Sequence, residues 1–278
     1  MKTSFKVRFS ITLLGVAAWL TLTGTSALAQ RGRGGGGFGL DSRAEERTYR
    51  FADTGEDLPY CLFASSKVSN DSPAPLIISL HGLGAGPQIM CNSTAVDLAE
   101  EGGYVLASPM GYNTGGWYGI PTTGGRGGGR GGNQPENLPE LSEKDVMNVL
   151  AMVREEFSSD DDRIYLTGHS MGGAGTYFLA SKHNDIWAAV APVAPAAGRM
   201  SDNRAEVLGQ IAAGGIPIMV VHGDMDEAVN VQTARDWVAT MEEIGMEHEY
   251  VELPGVTHGP VITISQRYVY ELFGKQSR

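Results

Sequence analysis

Two kinds of hydrophobic pattern alternate along this chain. Short uninterrupted apolar runs, such as residues 75–80 and 216–221, are typical of strands buried on both faces of a sheet. Longer stretches with apolar residues three or four positions apart, such as residues 142–157 and 231–244, are typical of helices with one buried face. Their alternation predicts an α/β fold, in which helices cover both faces of a mostly parallel sheet.

The same patterns give a provisional map of the elements. Strands are predicted at residues 47–51, 58–63, 75–80, 104–107, 162–167, 216–221 and 249–253. Helices are predicted at residues 94–101, 142–157, 170–182, 231–244 and 261–273. The first two strands are expected to pair antiparallel, and a capping-box-like pattern at Ser142 is expected to open its helix.

The first residues have the three parts of a secretory signal peptide. Basic residues come first, an apolar run of residues 11–22 follows, and Ala27-Leu28-Ala29 provides a small-residue cleavage site. The apolar run is too short and wrongly flanked for a membrane span, and no other segment approaches spanning length. We therefore expect cleavage before Gln30 and a secreted or periplasmic protein, with residues 30–45 as a flexible Gly/Arg-rich linker and residues 46–278 as one domain.

The charge of the chain disfavours two classes of partner. The formal net charge is −11, and loss of the three basic residues in positions 1–29 makes it 18 − 32 = −14. Such an acidic protein is not expected to bind nucleic acid or anionic membranes. The glycine- and arginine-rich stretches 31–37 and 124–132 are therefore interpreted as a linker and a surface loop, and residues 122–133 are expected to be dispensable for chemistry.

The two cysteines, Cys61 and Cys91, leave two possibilities open. Export permits a disulfide, but the sequence alone does not bring their Cα atoms within bonding range. Two buried free thiols are slightly favoured. Two cysteines are too few for a zinc site, and no dense cluster of His, Asp and Glu has ligand spacing, so neither a metal nor a cofactor is predicted.

Residues 168–172 read Gly-His-Ser-Met-Gly, at the junction between a predicted strand and a predicted helix. In this context the pattern is typical of a nucleophile elbow, whose glycines permit a tight turn and whose serine is exposed at the end of the sheet. The alternative is a glycine-rich turn with an idle serine. We predict Ser170 as a nucleophile that forms an acyl-enzyme.

The rest of the chain offers an acid and a base in the order that this elbow requires, Ser then Asp then His. Asp226 and His258 each follow a predicted strand, and are predicted as the acid and the base. Asp224 competes for the role of acid, but is expected to stabilise the turn. His81, His169 and His222 are expected to be structural, whereas His183 and His248 are expected to be solvated.

Acyl transfer also needs donors for the negative charge that develops on the substrate oxygen. The glycine-rich segment after the strand at 75–80 reads His81-Gly82-Leu83-Gly84-Ala85-Gly86. We predict an oxyanion hole from the backbone N–H groups of Leu83 and Met171. A phosphate-binding loop is excluded because no Gly-Lys-Ser/Thr follows these glycines.

The irregular stretch from Tyr112 to Leu141 also leaves the carboxyl edge of the predicted sheet. Tyr112 and Trp117 either line a substrate pocket or anchor the loop to the body, and both interpretations stay open. The stretch has too few aliphatic residues to seal a lipid pocket. It is therefore interpreted as an open rim, which argues against a true lipase.

These motifs together resemble the α/β-hydrolase superfamily. More narrowly, they resemble secreted carbohydrate esterases, polyhydroxybutyrate-depolymerase-like proteins and predicted-peptidase-type esterases. The resemblance covers residues 46–274 and is carried by the segments 80–84, 162–165, 168–173, 222–226 and 257–259. It implies an α/β-hydrolase catalytic domain with a glycine-rich loop insertion and the triad named above.

The expected function is therefore that of a secreted serine esterase. Its substrate would be a small-molecule or polymeric ester of the short-chain, acetyl, feruloyl or polyester type. One alternative is a serine peptidase of the prolyl-oligopeptidase type, although no extension of β-propeller length is present. A non-catalytic binding module on the same fold is the other alternative, disfavoured because all triad positions are filled.

Overall fold

The computed structural model describes residues 39–69, 72–121 and 134–278. The predicted signal peptide, linker residues 30–38 and the glycine-rich segment 122–133 lie outside the described residues. In the described part of the chain, no helix is both long and apolar enough to span a membrane.

An eight-stranded sheet forms the centre of the domain, in the order β1-β2-β4-β3-β5-β6-β7-β8. The strands are β1 Glu45–Phe51, β2 Glu56–Ala64, β3 Leu76–Leu80, β4 Val105–Pro109, β5 Ile164–His169, β6 Ala189–Val193, β7 Met219–Gly223 and β8 Glu249–Leu253. The first two strands are antiparallel to their neighbours and β3 to β8 are mutually parallel. This confirms the predicted mostly parallel sheet and its opening antiparallel pair.

Helices cover both faces of the sheet. They are α1 Ser93–Gly102, α2 Leu138–Glu156, α3 Met171–Lys182, α4 Arg204–Ala213, α5 Gln232–Glu243, α6 Val261–Ile264 and α7 Gln266–Phe273. One core cluster contains buried Val146, Tyr177 and Trp237 from α2, α3 and α5, and the other contains Val96 and Phe273 from α1 and α7. Since the parallel strands all run the same way, their carboxyl ends share one edge of the sheet.

Strand β6 and helix α4 were not predicted from the sequence. Pro192 lies in the middle of β6, and proline within an apolar run normally argues against an inner strand because it cannot donate to the ladder. The fold accommodates it by pairing β6 fully with β5, while the ladder between β6 and β7 is limited to Val193–Val221 and an isolated bridge at Val190.

Two predicted helices have different bounds. The expected start at Ser142 is wrong, because α2 begins a turn earlier at Leu138, with Pro139 in the first turn where a missing N–H costs nothing. Ser142 instead lies inside the helix, where its hydroxyl accepts the N–H of Tyr118. The predicted helix 261–273 is divided into α6 and α7 at Ser265.

Cys61 and Cys91 form a disulfide, so the preference for free thiols was wrong. Their Cα atoms lie 6.5 Å apart, inside the range that a disulfide can bridge. Sequence could not place this pair, because β2 and the segment after the first glycine-rich loop meet only through the sheet. The bond fixes the chain just beyond that loop to the second strand. Asp41 joins the same region, since its N–H donates to the carbonyl oxygen of Cys91.

Candidate active site

Ser170 occupies a sharp turn between β5 and α3. Its φ is +59° and its ψ is −113°, a conformation that costs free energy for any residue with a Cβ. The glycines around it allow the strand and helix to approach closely. A Cβ on Gly168 would lie 2.4 Å from the carbonyl oxygen of Gly172, and a Cβ on Gly172 would lie 2.2 Å from that of Leu80. Both positions therefore exclude larger residues.

The backbone around Ser170 fixes this turn. Its N–H donates to the carbonyl oxygen of Val193, while its own carbonyl accepts the N–H groups of Ala174 and Ala196. Its hydroxyl makes no hydrogen bond to any residue that the structure describes. The backbone is thus fully engaged and the Oγ is left available.

Asp226 and His258 are joined directly. The Nδ1 atom of His258 lies 2.6 Å from Oδ2 of Asp226, whose side chain is fully buried. The backbone N–H groups of Ala228 and Val229 donate to Oδ1 at 2.9 and 2.8 Å. Burial alone would raise the pKa of Asp226, but these donors and His258 outweigh it, so its pKa lies below the usual value. An ionised carboxylate accepts only, so Nδ1 of His258 carries a proton, and in the neutral imidazole Nε2 is the acceptor.

Asp224 has a different environment. Its Oδ1 atom accepts the backbone N–H of Gly255, and its side chain is exposed to solvent. The Asp224 carboxylate therefore links the loop after β7 to the turn after β8. Asp226 is instead the carboxylate that contacts His258. Which carboxylate acts in a reaction stays a prediction.

A second histidine contacts the same carboxylate. His222, at the end of β7, is fully buried, with Nε2 2.9 Å from the carbonyl oxygen of Val229 and 3.2 Å from Oδ2 of Asp226. Burial lowers its pKa, so it remains neutral. The sequence predicted a structural role for His222, and the structure adds a contact with Asp226 that its position at a strand end alone did not reveal.

His169 connects the segments that carry Ser170 and His258. It immediately precedes Ser170, and its Nε2 atom donates to the backbone carbonyl of His258 at 2.9 Å. The two imidazole rings lie 4.5 Å apart. Burial lowers the pKa of His169 to about 3, with the neighbouring His258 contributing, so a neutral ring makes this bond near pH 7.

The remaining three histidines contact neither Asp226 nor His258 in the hydrogen bonds of the described residues. His81 shapes its loop as expected, because its ring nitrogens contact the carbonyl oxygens of Gly82 and Met110 at 2.9 and 2.8 Å. His183 and His248 were expected to be solvated, but both are half-buried and hydrogen-bonded. Nε2 of His183 lies 2.8 Å from Glu143, and Nδ1 of His248 lies 2.9 Å from a backbone oxygen.

The two predicted oxyanion donors are free. The backbone N–H groups of Leu83 and Met171 donate to no acceptor within the described ranges. Met171 is the first residue of α3, where an N–H lacks a helical partner and the helix dipole favours negative charge. The glycine-rich loop reaches Ser170, because a Cβ on Gly82 would lie 3.4 Å from the Cβ of Ser170.

The loop after β4 supports the glycine-rich loop. The Tyr118 hydroxyl donates to the carbonyl oxygen of His81 at 3.0 Å, and the N–H of Gly84 donates to Thr114 at 2.8 Å. Tyr118 is fully buried, yet its φ is +55°. Sequence reasoning did not identify this residue, because its role depends on a contact with a residue 37 positions away.

Tyr112 anchors this loop to the body of the domain. Its hydroxyl donates to Glu56 at 2.6 Å, its ring lies 5.8 Å from Phe51, and its N–H donates to buried Asp145 at 2.9 Å. Asp145 also accepts the Tyr49 hydroxyl, and burial raises its pKa. These contacts account for Tyr112 as an anchor, whereas its part in substrate binding stays a prediction.

Trp117 is the other predicted pocket residue. Its ring is buried, with 7 % exposure, and its Nε1 atom has no hydrogen-bond partner among the described residues. The guanidinium of Arg199 lies over the ring at 4.5 Å. The Trp117 ring therefore packs in the core and also contacts an exposed side chain at the surface. Its contact with substrate stays a prediction.

Ser170, the Asp226–His258 pair and the free N–H groups of Leu83 and Met171 all lie just beyond parallel strands, at the carboxyl edge of the sheet. That they act together in acyl transfer stays a prediction. Across residues 39–69, 72–121 and 134–278, no three His, Cys, Asp or Glu side chains are grouped as metal ligands.

The chain belongs to the dienelactone hydrolase family, whose sequence profile matches residues 70–271. Among curated proteins, it is 28% identical over 236 residues to a bifunctional acetylxylan esterase/xylanase from Neocallimastix patriciarum, covering 81% of this chain and 31% of that protein. It is 31% identical over 99 residues to a cutinase from Thermobifida fusca, covering 36% and 30% of the two chains. The chain thus spans about a third of the length of these relatives.

Solved structures share the fold over most of this chain. A thermostable esterase matches with a TM-score of 0.65 at 24% identity, covering 85% of this chain and 64% of its own. A CE1 ferulic acid esterase from Anaeromyces mucronatus, in complex with ferulic acid, matches with a TM-score of 0.65 at 18% identity, covering 89% and 93%. These similarities confirm the predicted α/β-hydrolase fold.

Proposed function

We propose that this member of the dienelactone hydrolase family is a secreted serine esterase that forms an acyl-enzyme on Ser170. The observation that carries the proposal is the 2.6 Å contact between Asp226 and Nδ1 of His258, beside a serine whose backbone is strained and whose hydroxyl is free. In the neutral imidazole, the carboxylate holds the proton on Nδ1 of His258, so Nε2 is the nitrogen that can act as a general base.

The proposed reaction proceeds in two halves. The Oγ atom of Ser170 attacks the ester carbonyl carbon while its proton passes to Nε2 of His258. The N–H groups of Leu83 and Met171 bind the oxyanion, and the imidazolium, stabilised by Asp226, protonates the leaving alcohol. Water then repeats the cycle on the acyl-enzyme, which releases the carboxylic acid and restores the free serine. None of these steps needs a cofactor.

The proposed substrates are short-chain, acetyl, feruloyl or polyester-type esters, either small or polymeric. Curated relatives named as an acetylxylan esterase/xylanase and as a cutinase support an ester substrate. The open position of Leu83, which is 46 % exposed beside the elbow, supports access by bulky esters. Export follows from the signal-peptide pattern in residues 1–29, and the acidic charge argues against nucleic acid as a partner.

The test uses the protein without residues 1–29 and three reagents. A fluorophosphonate probe should label the wild-type protein, and peptide mapping should place the label on Ser170. A nitrophenyl acetate should be hydrolysed, whereas a peptide anilide should not. Ser170→Ala should lose both labelling and ester turnover, while Ser181→Ala, a serine further along α3, should retain both. Turnover of the anilide alone would support a peptidase, and a folded protein with no labelling or turnover would support a binding module.

A further inference from the structure

His222, at the end of β7, has a buried ring nitrogen without a partner. Its side chain has no exposed surface, and its Nε2 atom lies 2.9 Å from the carbonyl oxygen of Val229. Because a carbonyl oxygen only accepts, Nε2 carries the ring proton, and Nδ1 of this neutral imidazole is an acceptor. Nδ1 has no hydrogen-bond partner among the described residues. An unpaired buried acceptor destabilises a fold, so packing alone would favour an apolar side chain here.

The protonated nitrogen of His222 also faces the proposed acid. Nε2 lies 3.2 Å from Oδ2 of Asp226, and the side chains of both residues are fully buried. The same Oδ2 atom lies 2.6 Å from Nδ1 of His258. An ionised carboxylate oxygen has two lone pairs and accommodates both imidazoles. The N–H dipole of His222 therefore favours both the charge of the carboxylate and one orientation of its Oδ2 atom.

Val229 connects His222 to the other carboxylate oxygen. Its backbone N–H donates to Oδ1 of Asp226 at 2.8 Å, and its carbonyl oxygen accepts from Nε2 of His222. Ala228 donates a second N–H to Oδ1 at 2.9 Å. The N–H group of His222 thus contacts Oδ2 directly and holds the segment that binds Oδ1. Loss of this group would loosen the carboxylate at both oxygens.

The other ionisable side chains around this group contact different partners. His169 donates to the backbone carbonyl of His258. Glu252 pairs with His222 in the register of β7 and β8, but its carboxylate accepts the guanidinium of Arg235. Within the described residues, His222 is therefore the one side chain besides His258 that contacts the proposed acid.

We propose that His222 is a positioning residue, whose Nε2–H group holds the Asp226 carboxylate in line with Nδ1 of His258. It touches neither the substrate nor the reacting atoms and acts only through Asp226. The inference rests on the proposed ester hydrolysis, in which Asp226 orients the base and stabilises its imidazolium. Because the role belongs to the N–H group rather than to the imidazole ring, a side chain that keeps a donor at this place should keep the function.

Two substitutions separate the N–H group from the volume of the ring. His222→Gln keeps an N–H donor near the position of Nε2, whereas His222→Met fills similar space without a donor. On a nitrophenyl ester, His222→Met should lower kcat about tenfold or more and change KM less than about twofold, because a misplaced acid weakens the transition state and leaves ground-state binding intact. His222→Gln should stay within about threefold of the wild-type kcat.

A spectroscopic measurement reads the contact between acid and base without any turnover. In the Ser170→Ala protein, the proton between Nδ1 of His258 and Asp226 should give a far-downfield proton NMR resonance, as expected for a short hydrogen bond to a charged group. The resonance should be absent from Ser170→Ala/Asp226→Asn, which assigns it. In the Ser170→Ala background, His222→Gln should retain the position of the resonance, and His222→Met should move it upfield or broaden it by exchange with water.

His248→Met is the matched control. It removes an imidazole that also contacts a backbone oxygen, with Nδ1 2.9 Å from the carbonyl oxygen of Met246, but that lies before β8 rather than after it. Both kcat and the downfield resonance should be unchanged by this substitution. If His222→Met does not fold, His222→Asn replaces it, because its shorter amide ends near the position of Nδ1 and leaves Oδ2 without this donor.

An unchanged kcat and an unchanged resonance in His222→Met would overturn the proposal, even if the melting temperature falls, because His222 would then serve packing alone. Equal falls of kcat in His222→Met and His222→Gln would also overturn it, since the N–H group would not be the part that acts. If no ester is turned over and Ser170 is not labelled, the esterase proposal fails, while the downfield resonance still decides whether His222 holds the carboxylate.

Discussion

The loops after β7 and β8 and the loops after β3 and β4 meet at one edge of the sheet, but they prepare the site in different ways. The first pair presents side chains, since Asp226 contacts His258 directly at 2.6 Å. The second pair presents the backbone N–H of Leu83, in the loop after β3, and its side chains support that loop rather than face the site. Tyr118, for example, reaches the carbonyl oxygen of His81 rather than the site itself.

Two buried carboxylates show the same contrast. Asp226 receives two backbone N–H groups and a histidine, and its pKa lies below the usual value. Asp145 receives the Tyr49 hydroxyl and the Tyr112 N–H, but burial dominates and its pKa is raised. The first environment favours the charged carboxylate, whereas the second penalises the charge and uses the carboxylate oxygens to hold a loop. The difference supports the proposed role of Asp226 in the reaction and that of Asp145 in supporting the loop.

The largest expected effect comes from removing the side chains of Ser170 and His258. Ser170→Ala and His258→Ala should each lower kcat by about 10⁴- to 10⁶-fold, and the double variant should be little worse than either single one, because the groups act as one unit. Steady-state kinetics on a nitrophenyl ester would measure this. Losses that multiply in the double variant would show that the two residues act independently.

The next effect distinguishes the two carboxylates of the β7 loop. Asp226→Asn should lower kcat by about 10³- to 10⁴-fold, because the amide no longer fixes the tautomer of His258. Asp224→Asn removes the same charge two residues away, where the carboxylate only accepts the N–H of Gly255, and should change kcat less than about threefold. If Asp224→Asn is the inactive variant, the acid has been assigned to the wrong residue.

The contrast between reactive side chains and supporting contacts also explains which parts of the site could be predicted from the sequence. Ser170, Asp226 and His258 could be proposed from the sequence because reactive side chains follow buried strands in a fixed order, and their catalytic roles stay predictions. The supporting contact of Tyr118 could not, because it joins a distant segment that no local pattern encodes. Strand β6 was missed because Pro192 conceals it, and the disulfide because Cys61 and Cys91 are brought together only by the sheet.

Removing the disulfide tests whether the loop that carries the Leu83 N–H depends on its surroundings. Cys61 and Cys91 are separated by 30 residues, and closing a loop of this length stabilises the fold by roughly 3–4 kcal/mol in the chain-entropy account. The double Cys→Ser variant should therefore melt at a lower temperature, as measured by circular dichroism. Its kcat below the melting temperature should fall less than that of Asp226→Asn. A melting temperature equal to that of the wild type would show that the disulfide does not stabilise this region.

The smallest expected effect comes from Tyr118→Phe, which gives the sharpest comparison because it removes a single oxygen. Tyr118→Phe deletes the bond to the His81 carbonyl, costs about 1 kcal/mol of stability and loosens the loop that carries Leu83. We expect kcat to fall about five- to tenfold with little change in KM, since an oxyanion donor acts mainly in the transition state.

Tyr177 is the matched control for Tyr118. It is equally buried, but its hydroxyl has no partner in the described part of the chain, so Tyr177→Phe should leave kcat unchanged and the stability equal or higher. Equal kcat values for the two variants would mean that the loop after β4 does not position the oxyanion donor. A fall in Tyr118→Phe that appears only in KM would instead assign the loop to substrate binding, because the donor geometry would then be intact.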